Sequence, residues 1–501
     1  MSRDAHGALV ALNRFGLGAR GGASGDFANA ASDPRGFVRS ELSRPGGALL
    51  EAPGLLPTTT LGQMAFDYQF QQKQAREAFA KAGEARQGPN AEASNAEVPG
   101  KADAAGKMEA VDGNNMATLP ASGKPEPPNP PNVIQKTYRA EALARLQRGV
   151  MSECGFMERL VAFWSNHFCI SASKGLLARI WAGAFEREVI RPHVLGRFSD
   201  MLIAVEQHPA MLFFLDNQQS LGPDSRAGQN RKKGLNENLA REIMELHTLG
   251  VGGGYSQEDV TSLARIITGW TFAGRQAKLG EPGSFVFNAN AHQPGAHRLL
   301  NKTYEAEGLA QGEAALADLA RHPSTAKFIA TKFVRHFVAD DPPPALVAKL
   351  RDVFIRSDGD LKAMTLALLD ADEAWQAPMT KLRSPYEFLI ATGRILMQIP
   401  EDPTRYLGGL NVLGQPLWTP PGPNGFADTN AAWGGPEGMK LRLDIASQVG
   451  SRLGVNLDPR DLLELALANA VSAETRRTVE LAESRPQALA LLLMSPEFQR
   501  R

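Results

Sequence analysis

The sequence predicts a mainly α protein: one large multi-helix domain with a small β-hairpin excursion and a disordered insert. Three observations carry that expectation. From Thr137 onward, apolar residues recur at i, i+3, i+4 and i+7 in window after window, the period of helices buried along one side. Strand signals reduce to Phe285-Val286-Phe287 behind the turn Gly280-Glu281-Pro282-Gly283, which reads as one arm of a hairpin. Between Phe79 and Tyr138 there is no aromatic residue. Ala, Gly, Asn, Pro, Glu and Lys dominate there, and the stretch ends in the proline-rich run from Lys124 to Pro131. Such a segment cannot bury enough apolar surface to offset its ordering entropy.

In chain order, the first block has short apolar patches broken by Gly16, Gly18, Gly21, Gly22 and Pro45, then a helix-prone run over 64–80. The periodicity next predicts helices at 138–148 (stopped by Gly149), 156–168, 177–190, 198–206, 235–249 and 257–268. The last is opened by Ser256 as N-cap, with Asp259 completing a capping box. Further helices are expected at 305–320, 323–338, 344–357, 361–369, 385–398, 439–449, 458–468, 473–482 and 486–493, several of them introduced by proline. The organisation expected is an N-terminal helical segment at 1–80 packing on the main domain, an insert at 82–132 and the main domain at 133–501.

Charge and cysteine content narrow the function classes. Lys plus Arg (54) equals Asp plus Glu (54), so overall charge gives no reason to expect nucleic acid as a partner. No apolar run approaches the ~20 residues a membrane helix needs. Arg3, Asp4, His6 and Arg14 interrupt the apolar residues near the start, so no signal-peptide core is evident and the expected compartment is the cytoplasm. Two cysteines, Cys154 and Cys169, cannot form a disulfide framework or a cysteine-based zinc site by themselves.

The most informative window runs from Leu235 to Gly250. At helical spacing Asn238, Arg241, Glu242 and Glu245 share one stripe, Leu239, Ile243 and Leu246 form another, and His247 lies roughly opposite the first. A charge-laced surface helix, with Glu237 and Arg241 in favourable i to i+4 order, is one reading. An inward Glu242/Glu245 pair with Arg241 beside it, suited to acid–base work or metal ligation, is the other. In Phe163-Trp164-Ser165-Asn166-His167-Phe168, His167 shares the apolar face of Leu160, Phe163 and Trp164, so its imidazole points inward, as a satisfied core residue or as a base or ligand. Gly250-Val251-Gly252-Gly253-Gly254 reads as a tight turn between helices or as amides exposed to an anion. His292 and His297 flank Gln293-Pro294-Gly295-Ala296, so any metal they shared would rest on a loop. The stretch 413–433, with Trp418, Asp428 and Trp433, sets rings beside amides and a carboxylate, suited to a stacking platform or to loop packing on the helices. No Gly-x-Ser-x-Gly elbow, dinucleotide fingerprint or His-Glu-x-x-His is present.

With these motifs in hand, the chain resembles the bacterial family catalogued as domain of unknown function number eighteen hundred. The resemblance rests on Leu12-Asn13-Arg14-Phe15-Gly16, Phe163 to Phe168, Asn236 to Trp270, the region from His292, His322-Pro323-Ser324-Thr325-Ala326, Arg383 to Phe388 and Gly414 to Trp433. It implies a predominantly helical fold and importance for the Trp-x-Asn-His-Phe and Asn-Glu-x-x-Ala-Arg-Glu motifs, and it supplies no reaction. The chain departs from that family's usual His-Asp pair in having Gln293 after His292, and His297 stands where a lysine is common. The resemblance also implies a partner from a second family of unknown function, number fifteen hundred and one, often encoded beside such proteins and bearing export signals. A periplasmic location by co-export is therefore a second expectation.

The functional expectation is an enzyme presenting His167, Arg241, Glu242 and Glu245 to a cleft closed by the loop from Trp418 to Trp433. Asn166, Asn238, Trp418, Asp428 and Trp433 would contact substrate. His167, Glu242 and Glu245 would hold a divalent transition metal assisting hydrolysis or group transfer on a polar substrate, saccharide or envelope-derived, with Arg241 stabilising negative charge. His247, His292 and His297 are candidates for a second site. The competing class is a non-catalytic partner or maturation protein that uses the same motifs as an interface.

Overall fold

Polar caps and prolines set where the helices begin. Ser384 and Glu387 form a reciprocal capping box around Pro385 at the start of helix Pro385–Ile395. The Ser256/Asp259 box expected from the sequence opens helix Gln257–Ile266. His322 caps helix Pro323–Phe337 in the same manner, its Nδ1 accepting from the Ser324 N–H at 3.1 Å, with Pro323 occupying the position that needs no donor.

The computed structural model describes residues 4–86, 131–229, 234–305, 307–467 and 470–501. It is mainly helical, with two small antiparallel strand pairs. Contacts group residues 1–65 with 134–501 in one unit and residues 66–133 in a second. The division falls inside helix Thr58–Arg86. Of the expected insert at 82–132, that helix occupies 82–86, and 87–130 lie outside the described residues. No helix among the described residues is long and apolar enough to cross a membrane.

Most predicted helices are present with ends shifted by a few residues, among them Val133–Met151, Phe156–His167, Phe198–Gln207 and Pro344–Arg356. Two differ in kind. The 177–190 helix is Leu176–Phe185 followed by a π-helical turn, Glu186–Ile190, and the 235–249 helix is Asn238–Glu242 followed by a π turn, Ile243–His247. A wider turn redirects the side chains and carbonyls that follow, which residue periodicity does not register. Helices Pro209–Phe214 and Thr404–Val412 were not expected: the first is too brief for a periodic signal, and the second carries the helix-weakening pair Gly408-Gly409.

Strand Phe285–Phe287 pairs antiparallel with Trp270–Phe272, in the register Trp270 to Phe287 and Phe272 to Phe285. The second pair, His297–Leu299 with Lys302–Tyr304, turns through Leu300 and Asn301. Both have positive φ, 48° and 63°, as a tight hairpin turn requires.

The core of the larger unit holds Trp164, Trp181 and Trp270, all fully buried, and a ring cluster in which Phe156 meets Phe15 at 5.8 Å and Phe337 at 5.6 Å. Each buried ring contributes roughly 2–3 kcal/mol by area removed from water. Arginines thread this apolar interior. Buried Arg394 donates to the carbonyls of Gly149 and Val150, each at 3.1 Å, and Glu153 at 2.7 Å, satisfying acceptors left open at the end of helix Val133–Met151. Helix Leu309–Arg321 reaches the indole of Trp270 through Gly312, where a methyl group would collide with the ring. Since Trp270 is buried and cannot swing aside, Gly312→Ala should cost about 1–3 kcal/mol in urea unfolding by overpacking, while an alanine at exposed Gly408, which meets nothing nearby, should leave stability unchanged or raised.

Candidate functional site

Five stretches of chain converge on a cleft of about 320 Å³. Helix Phe156–His167 contributes Asn166 and His167, helix Pro323–Phe337 contributes Lys332, Arg335 and His336, and helix Pro385–Ile395 contributes Tyr386 and Glu387. The 415–433 loop closes it with Trp418, Phe426, Asp428 and Trp433, and Arg501 reaches in beside them.

His167 is buried and committed at both nitrogens. Nε2 lies 3.1 Å from the His247 carbonyl, which only accepts, so Nε2 carries the proton. Nδ1 therefore holds a lone pair, and it faces Lys332 Nζ at 2.9 Å. Burial, reinforced by the neighbouring Lys332 charge, holds this imidazole well below the usual histidine range, so it is neutral. Behind it, His247 donates from Nδ1 to Glu206 at 2.8 Å, both side chains fully buried. Thus one residue of a π turn fixes His167 through its backbone and is itself fixed through its side chain.

Lys332 donates to an imidazole and, among the described residues, to no carboxylate. Its ammonium lies 5.4 Å from the centre of the Phe328 ring. Burial, with Arg335 adding repulsion, outweighs the attraction of Asp428 and brings the amine down to about 8. Arg335, one turn along on the same face, donates to the Asp340 carbonyl at 3.2 Å and likewise has no carboxylate partner among the described residues. The cleft therefore holds two cations that, among the described residues, have no direct carboxylate partner.

The opposite wall is a closed ion network. His336 donates from Nδ1 to Asp428 at 2.7 Å and receives Arg159 at Nε2, 3.3 Å away. Burial lowers it to about 4, so it too is neutral. Asp428 also meets Arg501 at 3.2 Å and Lys381 at 3.5 Å. Burial opposes its charge, but His336, Arg501 and Lys381 prevail and keep it ionised. Glu387 sits between Arg159 at 2.9 Å and Arg501 at 2.8 Å, all three side chains buried. These two cations overcome burial and hold its carboxyl at about 2.

Several expected substrate contacts turn out to hold the loop in place. Asn166 pairs with Phe426 like a strand neighbour, Nδ2 donating to its carbonyl at 2.9 Å and Oδ1 accepting from its N–H at 2.8 Å. Trp418 donates to Glu186 at 3.1 Å, and Trp433 donates to the Ala427 carbonyl at 3.0 Å. Glu186, on a π turn, is further bound by Arg145 and Arg191, each at 3.1 Å.

The polar stripe of 235–249 lies outside the cleft. Asn238 is exposed, and Arg241 pairs with Glu237 at 3.1 Å and Glu245 at 3.9 Å, the surface-helix arrangement. Glu242 is part-buried, which raises its carboxyl against the pull of His247. His292 donates to the Thr268 carbonyl at 3.0 Å, and His297 lies on a strand; neither lines the cleft. Among the described residues no group of three or more His, Cys, Asp or Glu is arranged to hold a metal, so His167, Glu242 and Glu245 do not come together as a ligand set. Cys154 and Cys169 are free and buried, and burial pushes the cleft-lining Cys169 thiol up to about 12. The sequence reading missed Lys332, Arg335, His336, Glu186 and Glu387. The first three were detectable as polar residues spaced i, i+3 and i+4 within a helix whose remaining face is apolar.

A family model described as protein of unknown function (DUF1800) matches residues 10–500. No curated protein and no solved structure matches the chain.

Glu387→Gln removes the carboxylate that binds both Arg159 and Arg501, and should destabilise the fold by about 3–5 kcal/mol in urea titration at pH 7. Because the folded-state carboxyl is depressed, its contribution is complete above the ordinary value of 4.5 and disappears as pH falls toward about 2. The gap between wild type and variant should accordingly shrink at pH 3; an unchanged gap would assign the loss to packing.

Proposed function

The chain belongs to the DUF1800 family, whose description names no reaction, and from its cleft we propose an enzyme acting on a small anionic molecule, with Lys332 and His167 as the proton-transferring pair. The observation that carries this reading is the Lys332 amine, lowered to about 8 and hydrogen-bonded to the bare Nδ1 of a neutral imidazole. At neutral pH roughly two orders of magnitude more of such an amine is uncharged than of an exposed lysine. It can take a proton from substrate, or give one, near the pH at which cells operate.

The substrate's charge follows from the wall. Arg501 is matched by Glu387 and Asp428, and Arg145 by Glu186, whereas Lys332 and Arg335 have no direct carboxylate partner among the described residues. An anion placed between them would be drawn in by that pair. Trp418 and Trp433, held by their own N–H bonds, line the cleft with aromatic surface, in keeping with a polar, saccharide-like or envelope-derived substrate. The reading needs no metal, since the proton moves between protein groups already in contact. The competing role of a non-catalytic partner draws less support, because the Phe163–Phe168 and Gly414–Trp433 motifs converge on one concave site instead of a flat face.

Brief acetic anhydride treatment at pH 7 followed by peptide mapping should acetylate Lys332 ahead of exposed Lys349 and Lys362. Citrate or phosphate should slow that labelling, and Arg335→Gln should abolish the protection. Labelling of Lys332 no faster than of the exposed lysines would remove the basis of the proposal.

A further inference from the structure

We propose that Lys332 condenses with the carbonyl carbon of an oxo acid, holding the substrate as an imine. This rests on the reading that Lys332 is the reacting group of the cleft, and adds the chemical class of what it meets.

Four features of the cleft favour a carbon–nitrogen bond over proton transfer alone. Lys332 Nζ has no carboxylate partner among the described residues, so no ion pair must be broken to release its lone pair. Among the described residues its hydrogen-bond acceptor is His167 Nδ1 at 2.9 Å, positioned to receive the proton that nitrogen must lose as it attacks. That acceptor cannot turn away, because Nε2–H is held by the His247 carbonyl at 3.1 Å and His247 by Glu206 at 2.8 Å. Arg335, three residues along the same helix, lines the cleft with no direct carboxylate partner among the described residues and can hold the acid group of the molecule whose carbonyl carbon faces Nζ.

The step balances without an outside reagent. The Nζ lone pair forms the C–N bond while the C=O π pair moves to oxygen, and the proton displaced from Nζ passes through His167 Nδ1 to that oxygen, giving a carbinolamine. The nitrogen lone pair then expels the hydroxyl group, which takes the remaining Nζ proton, relayed through His167 Nδ1, and leaves as water. Amine plus carbonyl yields imine plus water, and nothing is oxidised or reduced. An acyl donor would instead leave Lys332 as an amide, which water does not release at a useful rate. The imine hydrolyses by the reverse path and restores the amine.

Glyoxylate and pyruvate, the smallest oxo acids of this kind, should not be excluded by size from a cleft of about 320 Å³. The full chain would be incubated with each, reduced with sodium borohydride, digested and mapped by mass spectrometry. The expected result is a borohydride-dependent carboxyalkyl adduct on the Lys332 peptide, formed at least about tenfold faster than on Lys349 or Lys362 and absent from Lys332→Arg. His167→Gln, melting as wild type does, should slow trapping without moving its position. Adducts spread evenly over exposed lysines, or none on Lys332 in the wild type, overturn the imine whether or not the variants fold. If acetic anhydride still selects Lys332 while both oxo acids fail, the imine falls and the proton-transfer reading stands. If Lys332 is selected by neither reagent, both fall.

Discussion

A single buried carboxylate organises one whole wall of the cleft. Glu387 lies between Arg159 and Arg501, and each of these cations makes a second commitment: Arg159 to His336, Arg501 to Asp428. Since His336 and Asp428 also bond each other, the five groups close into a ring of contacts that joins three helices and the 415–433 loop. Moving such charges out of water costs several kcal/mol per ion, so the network is poor as a source of net stability relative to an apolar core. Its effect is on geometry. No member can shift without stranding another in a low-dielectric interior, and that rigidity is inherited by the histidine and carboxylate that face the cleft.

The wall that carries Lys332 is built on the opposite principle. Here the partners are dipoles instead of charges: a neutral imidazole, a backbone carbonyl and an aromatic ring. Burial therefore outweighs the distant attraction of Asp428, and the amine falls to about 8, while the buried carboxyl of Glu387, flanked by two guanidinium groups, falls to about 2. The neighbours differ: dipoles around the amine, two guanidinium groups around the carboxyl. One wall pairs its charges with one another; the other leaves Lys332 and Arg335 with no direct carboxylate partner among the described residues.

The helical framework was legible in the sequence because it follows from local signals: the 3.6-residue period, Ser256 with Asp259, and proline at helix starts. His167 was legible too, since its place on the apolar face of Phe163 and Trp164 required it to point inward. What it would meet was not. Lys332 lies 165 residues away and Glu206 reaches it only through the backbone of His247, relations set by tertiary packing. The charged stripe of Arg241, Glu242 and Glu245 drew attention by its density, yet density is what a solvated helix face also displays, and the Glu237–Arg241 pair belongs to that kind of face. Lys332 and Arg335 were overlooked for the converse reason: two cations in an amphipathic helix look like its wet side unless a loop some 90 residues downstream folds over them.

That loop explains why asparagine and glycine recur at its contacts. Asn166 imitates a strand edge toward Phe426, and a side chain on Gly425, whose φ is 76°, would run into Asn166 itself. Trp418, also at positive φ, is held in place by Glu186 through a π turn. Trp418 is one of several non-glycine residues at positive φ, and the carboxylate that restrains it lies in the helical body. The π turn at Glu186 fastens the cover, and the one at His247 sets the tautomer of His167. Both depart from regular helix where a carbonyl or carboxylate must reach sideways to a neighbouring element. The irregularities thus fall where the regular fold alone could not hold a neutral imidazole against an amine and an aromatic lid above them, the arrangement a preorganised polar site demands.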